Sequence, residues 1–253
     1  MSQQRLLSLL TSHPIFAPAA PEQLKELVAA SSVVRVSAGE VILREGEPAD
    51  RVFVLAEGAV RVYHVSPEGE EVLLKLFGAP AVFGEAEALG SQITLEFVQA
   101  IEPCEVLVVP VATLLHLLRA EPSCALHLLV DVAARFSISI YNQRSLAFNP
   151  ATIRLANLLV DYAQWLQQRG CAELHVPLTQ DQMAASIGVT RRSIAKDISD
   201  WQKQGIIRRE GHAYVIDDLP ALSRYSDAER LELSYSSEQV PMILAEKTTQ
   251  AGS

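Results

Sequence analysis

Between Val33 and Gly78 the chain never runs far without a turn signal. Ala38-Gly39, Glu45-Gly46-Glu47-Pro48, Glu57-Gly58 and Pro67-Glu68-Gly69 interrupt it in succession. Glycine supplies left-handed backbone and proline removes a ladder donor, so each cluster marks a turn. The runs between them are rich in Val, Leu, Phe and Tyr. Short runs of this kind with closely spaced turns indicate an antiparallel sandwich or barrel. "LEFVQAIEPCEVLVVP" (residues 95–110) supplies more strand, broken at Pro103. The pattern predicts a small jelly-roll-like β-barrel from about Val33 to Pro110. A helix precedes it, with Leu24, Leu27 and Val28 on one face.

After Pro110 the character turns helical. Glu121-Pro122 is the one interruption, and proline suits a first helical turn, so a long helix is expected to start there. Leu129, Val132, Phe136, Ser139, Gln143 and Leu146 follow at alternating steps of four and three, which is heptad spacing. A second stripe, Leu126, Ala133, Ile140 and Ala147, recurs every seven residues. One stripe is expected to face the barrel and the other a second copy of the helix. The dimer seam is therefore assigned to Leu129, Val132, Phe136, Ser139, Ile140 and Gln143. Asn149-Pro150 then marks a hinge or turn before another amphipathic helix.

"LTQDQMAASIGVTRRSIAKDISDWQKQG" (residues 178–205) has the marks of a helix-turn-helix. Thr179 is placed to cap a helix, with Gln182 three residues on as the reciprocal capping-box partner. Met183, Ala184 and Ile187 form its apolar face, and Gly188 suits a tight left-handed turn. Thr190 is placed to cap a second helix with Ile194, Ile198 and Trp201 inward. Arg191, Arg192, Ser193 and Lys196 then face outward where base edges would lie. "IIRREGHAYVI" reads as a short hairpin, a wing whose Arg208 and Arg209 can reach phosphates. Thr179 and Gln180, at the start of the first helix, complete the expected DNA contacts.

Composition must be reconciled with this. The 253-residue chain has 49% hydrophobic residues and a net charge of −9, which by itself argues against nucleic acid. Residues 178–215 are the exception, with six Lys/Arg against four acids. The three cysteines, Cys104, Cys124 and Cys171, are widely spaced without a CxxC, and are expected to be buried free thiols. No apolar run approaches the roughly 20 residues of a membrane span, and the N-terminus lacks the form of a signal peptide. A cytoplasmic protein with no membrane partner is expected. No phosphate-binding glycine loop, GxSxG, HExxH or Ser/His/Asp set occurs, so no catalytic or metal-binding residue is assigned and an enzyme is not expected.

The order of barrel, long helix and winged helix-turn-helix resembles the cyclic-AMP receptor protein/FNR family of bacterial transcription regulators. The likeness runs from about Leu6 to Leu219. It rests on "AGEVILREGEPADRVFVLAEGAVRVY", the Phe83-Gly84-Glu85 turn, "LAFNPATIRLANLL" and the helix-turn-helix. It implies an α+β chain with an effector-binding, cyclic-nucleotide-binding-like barrel domain (1–121) and a dimerisation helix (122–148). A winged helix-turn-helix domain (149–219) and a C-terminal extension of unknown role (220–253) complete it. It also implies a homodimer, a two-fold symmetric double-stranded DNA site and RNA polymerase as partners.

In this family the recognition helix typically presents an arginine, then a glutamate, then an arginine five residues after the first. The matching positions here are Arg191, Arg192 and Lys196. Arg191 is suited to a bidentate contact with guanine. Arg192 cannot accept from cytosine as the acid would, so a different half-site is expected. Lys196 lacks the planar fork and suits phosphate.

In the pocket the resemblance places Phe83, Gly84, Glu85, Ala86, Thr94, Leu95 and Ser139. Cyclic-AMP binders of the family use the glutamate for the ribose, an Arg-Ser or Arg-Thr pair for the phosphate and a polar helix residue for adenine. Gly84, Glu85 and Ser139 match, but Thr94 stands at the arginine position with Leu95 beside it. An anion leaves water only if paired, and residues 82–110 contain no Lys or Arg. Cyclic AMP in the usual mode is therefore not expected. A different effector, no effector, or haem remain open. His64, His116, His127 and Cys104 are the candidate haem ligands. The alternative overall reading is a nucleotide- or haem-sensing module whose main partner is a protein.

Overall fold

The computed structural model describes residues 2–67 and 69–227. They form two compact units, one of residues 2–62 and 77–136, the other of 63–76 and 137–227. The expected extension at 220–253 lies outside the described residues from 228 onward.

The first unit opens with two helices, α1 (Gln3–Ser12) and α2 (Pro21–Ala29). In chain order eight strands come next, of which most of β5 and the end of β4 fall in the second unit: β1 (Ser32–Val36), β2 (Val41–Leu43), β3 (Arg51–Glu57), β4 (Ala59–Val65), β5 (Glu71–Gly78), β6 (Ala81–Phe83), β7 (Phe97–Ala100) and β8 (Cys104–Pro110). They make two four-stranded sheets, ordered β1-β8-β3-β6 and β2-β7-β4-β5. The short helix α3 (Glu85–Leu89) separates β6 from β7, and α4 (Val111–Ala120) follows β8.

Strand β3 explains how barrel and helices share a core. All of Val52 to Ala56 is buried, because both faces of the strand are covered. Alternation sends successive side chains to opposite faces. Val52 and Val54 join Val82, Leu107 and Val109 in a cluster with Leu6 and Leu10 of α1, Leu24 and Leu27 of α2, and Leu114 and Leu117 of α4. Phe53 takes the other face and is in register with Phe83 of β6. Each fully buried leucine contributes about 1.5–3 kcal/mol. Truncating Leu24 to alanine would cost about 2–5 kcal/mol because a cavity remains.

Helix α5 (Pro122–Phe148) is a single run of 27 residues. By length and composition it is apolar enough to cross a membrane. Its buried positions, however, include Asp131 and Ser145 beside Cys124, Leu128 and Tyr141. The expected division of labour between its two apolar stripes is corrected here. Leu129 and Phe136 of one stripe and Leu126 and Ile140 of the other are all half or more exposed, within a few per cent. Heptad spacing puts these positions on one side of a helix. Val132 is the exception and packs against the core of its own chain.

In the second unit, α6 (Ala151–Gln168) follows the Asn149-Pro150 break. A buried polar cluster surrounds that break. Tyr141 Oη donates to Asp227 Oδ2 at 2.8 Å, Asn149 Nδ2 to the same oxygen at 3.1 Å, and Asp227 N to Asn157 Oδ1 at 2.9 Å. Burial first, then the Asp227 carboxylate, push the Tyr141 phenol up to about 12. Beyond α6 come β9 (His175–Val176), α7 (Gln180–Ser186), α8 (Arg191–Lys203), β10 (Ile207–Glu210), β11 (Ala213–Ile216) and α9 (Leu219–Ser223). The strands form a three-stranded sheet, β10-β11-β9. Residues 63–76 belong to this unit, where Leu73 N donates to Ser186 Oγ at 3.0 Å.

Candidate nucleic-acid interface and effector pocket

Helix α7 begins where its capping chemistry dictates. Gln182 N donates to Thr179 Oγ1 at 3.2 Å, and Thr179 N donates to Gln182 Oε1 at 3.0 Å. Each half satisfies an amide that the first turn leaves open. The helix stops at Gly188, whose φ of 67° permits the tight turn into α8. Helix α8 buries Ile194, Ile198 and Trp201. That leaves Arg191, Arg192, Ser193 and Lys196 exposed at and near its N-terminal end. Thr190 is its N-cap, but the hydroxyl meets Ser193 Oγ at 3.0 Å rather than a backbone amide.

The cations of this surface differ in how free they are. Arg191 is tethered, with Nε donating to Gln180 Oε1 at 3.2 Å and Nη1 3.5 Å from Asp181 Oδ2. Arg192 and Lys196 make no ion pair among the described residues. In the wing, Arg209 Nε donates to the Gly211 carbonyl at 2.9 Å. Arg208 is surrounded by acids: Glu173, Glu210 at 3.0 Å and Asp217 at 3.1 Å. The hydrogen bond to Glu210 leads in holding its guanidinium above the ordinary arginine range. The sequence places Arg208 and Arg209 together as phosphate contacts, but only Arg209 leaves its charge unmatched by a carboxylate.

The barrel cup has equally specific chemistry. Gly84 sits at φ 79° at the start of α3, and a Cβ there would lie 3.1 Å from the Phe53 ring. Only glycine fits both the backbone and the contact. Its neighbour Glu85 is 1% exposed. Although residues 82–110 hold no cation, the fold brings one from α5. Arg135 Nη2 stands 2.5 Å from Glu85 Oε1 and 2.6 Å from Asp131 Oδ2. Burial opposes the charge of Arg135, but Glu85 and Asp131 outweigh it and raise the guanidinium above its ordinary range. The Arg135 guanidinium also lies 5.8 Å from the centre of the Phe77 ring. Phe77 stacks on Phe83 at 6.4 Å and Phe83 on Phe53 at 5.2 Å. One buried cation is thus shared between two carboxylates.

Thr94 is 3% exposed and its hydroxyl has no partner among the described residues. It borders a cavity of about 10 Å³ with Leu43, Pro48, Arg51, Phe53, Gly84 and Glu87. That is room for roughly one water and not for a phosphate group. Arg51 is half-exposed and donates to Asp50 at 3.0 Å. The structure thus gathers Phe83, Gly84, Glu85 and Thr94. Leu95 and Ala86 are exposed, and Ser139 is exposed on the same side of α5 as Phe136 and Gln143.

Comparison with known proteins assigns both regions. A family model described as a cyclic nucleotide-binding domain matches residues 33–121, and one described as a Crp-like helix-turn-helix domain matches residues 153–225. The sensor domain of the transcriptional regulator DNR from Pseudomonas aeruginosa is 32% identical with a TM-score of 0.50. That match covers 55% of this chain and 95% of that one. The chain belongs to the CRP/FNR family of transcription regulators.

Among relatives, the CRP-like cAMP-activated global transcriptional regulator of Mycobacterium tuberculosis is 27% identical over 218 residues, 85% of this chain and 97% of that protein. Transcriptional regulator SdrP of Thermus thermophilus is 28% identical over 202 residues, 77% of this chain and 94% of that protein. The c-di-GMP responsive global regulator CLP of Xanthomonas campestris shares the fold, with a TM-score of 0.63 at 18% identity over 78% of this chain and 99% of that one. CRP/FNR regulators dimerise and bind DNA.

The candidate haem ligands stand in different settings. His64 and His116 are exposed, and His127 donates from Nδ1 to the Pro14 carbonyl at 2.6 Å. Cys104 is buried with its thiol directed at the Ala59 and Glu102 carbonyls. Cys124 is also buried, and burial pushes its thiol up to about 11. Cys171 is exposed, contrary to the expectation of three buried thiols.

Proposed function

We propose that this chain is a dimeric, sequence-specific DNA-binding regulator of transcription that acts in the cytoplasm and engages RNA polymerase. Helix α8 is the recognition helix. Arg191 reads a guanine edge, while Arg192, Lys196 and Arg209 contact phosphates or neighbouring bases. Thr179, Gln180, Thr190 and Ser193 border the same surface. The observation that carries this reading is the row of exposed cations at the start of α8, within an otherwise acidic chain. The dimer seam is the exposed side of α5, with Leu129, Phe136, Ser139, Ile140 and Gln143.

The barrel takes no cyclic AMP by the family's phosphate clamp. A cup whose buried Arg135 is already held by Glu85 and Asp131, beside a Thr94 cavity of about 10 Å³, opposes a cyclic phosphate on both charge and volume. One relative named above is cAMP-activated and another is c-di-GMP responsive, so neither signal passes to this chain by likeness. Selection of bound DNA from random sequence, with and without cyclic AMP, tests the reading. A two-fold symmetric site is expected, unchanged by cyclic AMP. Arg191→Ala weakens it by about 1–3 kcal/mol with the loss at one base pair per half-site. Failure to enrich any site would overturn the assignment.

A further inference from the structure

Gln180 opens α7, and its carboxamide lies between two other elements. Its Oε1 accepts from Arg191 Nε on α8 at 3.2 Å. Its Nε2 donates to Tyr214 Oη on β11 at 2.8 Å. Arginine offers donors only, so the amide oxygen must face Arg191. That turns the amide nitrogen toward the phenol. The two bonds therefore select one orientation of the amide. Tyr214 is 2% exposed and sits in register with Arg209 on one side and Val176 on the other. Its ring is held by the sheet, so Gln180 is held in turn. Asp181 Oδ2, 3.5 Å from Arg191 Nη1, adds a weaker tether.

An exposed arginine samples many rotamers and loses that freedom on binding. Arg191 has a side chain 61% exposed, yet its Nε is already committed. The remaining N–H groups lie on its two terminal nitrogens. Those are the pair that a guanine edge accepts end-on through O6 and N7.

We infer that Gln180 and Tyr214 are positioning residues for base readout, so that a buried wing tyrosine sets how sharply Arg191 discriminates its base. This rests on Arg191 being a base reader. Tyr214 has no exposed surface to offer DNA, so any effect of its hydroxyl on base preference passes through Gln180.

The test compares full-length wild type, Arg191→Ala, Tyr214→Phe and Gln180→Met on the selected site and on its single-base-pair variants, at fixed salt. Gln180→Met keeps size but removes both hydrogen bonds at a partly exposed position, so it serves if Tyr214→Phe lowers stability. Both variants are expected to lose roughly threefold to tenfold in discrimination at the base pair that Arg191→Ala relaxes, and little elsewhere. The double variant loses no more than either single, since both break one relay. If Arg191→Ala relaxes one position while Tyr214→Phe and Gln180→Met keep wild-type preferences, the relay is wrong and the role of Arg191 stands. A uniform loss across all site variants also overturns the relay. If Arg191→Ala leaves every base preference unchanged, the role of Arg191 falls, and the relay with it.

Discussion

Replacing Arg135 by methionine should cost the barrel unit about 3–5 kcal/mol at neutral pH. The magnitude follows from the two carboxylates left behind. The Glu85 and Asp131 side chains are 1% and 3% exposed, and Arg135 contacts both. Removing one partner from a buried ion pair typically costs about 3–5 kcal/mol. A second route bounds the same number. A stranded carboxylate escapes by taking up a proton, and protonating a glutamate of ordinary pKa near 4.3 at pH 7 costs about 3.7 kcal/mol. The deficit against wild type should therefore shrink to about 1 kcal/mol near pH 5. Urea unfolding at matched protein concentration measures it. Far-UV circular dichroism is the suitable probe, because Trp165 and Trp201 both lie in the other unit. The neutral triple variant Glu85→Gln, Asp131→Asn, Arg135→Met should recover much of the loss. A deficit below 1 kcal/mol at pH 7, or one that does not narrow on acidification, would show that the cluster is not the buried ion network described.

His13 offers an opposite pH signature. Burial holds its imidazole down at about 4, against the opposing pull of Asp131. Its contribution is complete above the ordinary value of 6.5 and declines as pH falls toward 4, by about 2 kcal/mol at pH 5; His13→Asn should flatten that part of a urea-stability profile, and an unchanged slope would refute it. Phe136 is 65% exposed on α5. Phe136→Glu should yield monomers at micromolar concentration, since the seam loses apolar area and gains two like charges; sedimentation showing an intact dimer removes this face from the interface. Arg208→Ala should leave the salt dependence of DNA binding nearly unchanged, because its charge is matched by Glu173, Glu210 and Asp217. A slope lowered by about 1 per protomer would instead make it a phosphate contact.

The barrel and the helix-turn-helix were legible because local chemistry specifies them. Turn clusters of Gly and Pro delimit the strands, and the Thr179–Gln182 capping box forms from four consecutive residues. The cup was only half legible. Arg135 lies 50 residues from Glu85, on a helix whose heptad pattern draws attention to its opposite side. The Asp131–Arg135 spacing of four was the available sign, since such pairs meet on one helix face. The resemblance located Ser139 and Leu95 by position in the motif, whereas exposure depends on helix rotation and loop path. The five-residue helices α3 and α9 carry too few turns for periodicity to reveal them.

Charge ties the two regions together. A chain of net charge −9 is repelled by a polyanion, so sequence-independent binding is weak and contacts at the recognition surface must supply most of the affinity. Within that surface Arg208 is already matched by acids and Arg191 is tethered. Few cations remain to bind phosphate without regard to sequence. Weak background binding with an oriented base reader raises the ratio of specific to non-specific affinity, which decides occupancy among many competing sites. The same economy of charge acts in the cup, where Arg135 is committed to Glu85 and Asp131 and is not free for an anionic ligand. If the barrel senses anything, that ligand must either displace one of those carboxylates from Arg135 or bind without a full negative charge.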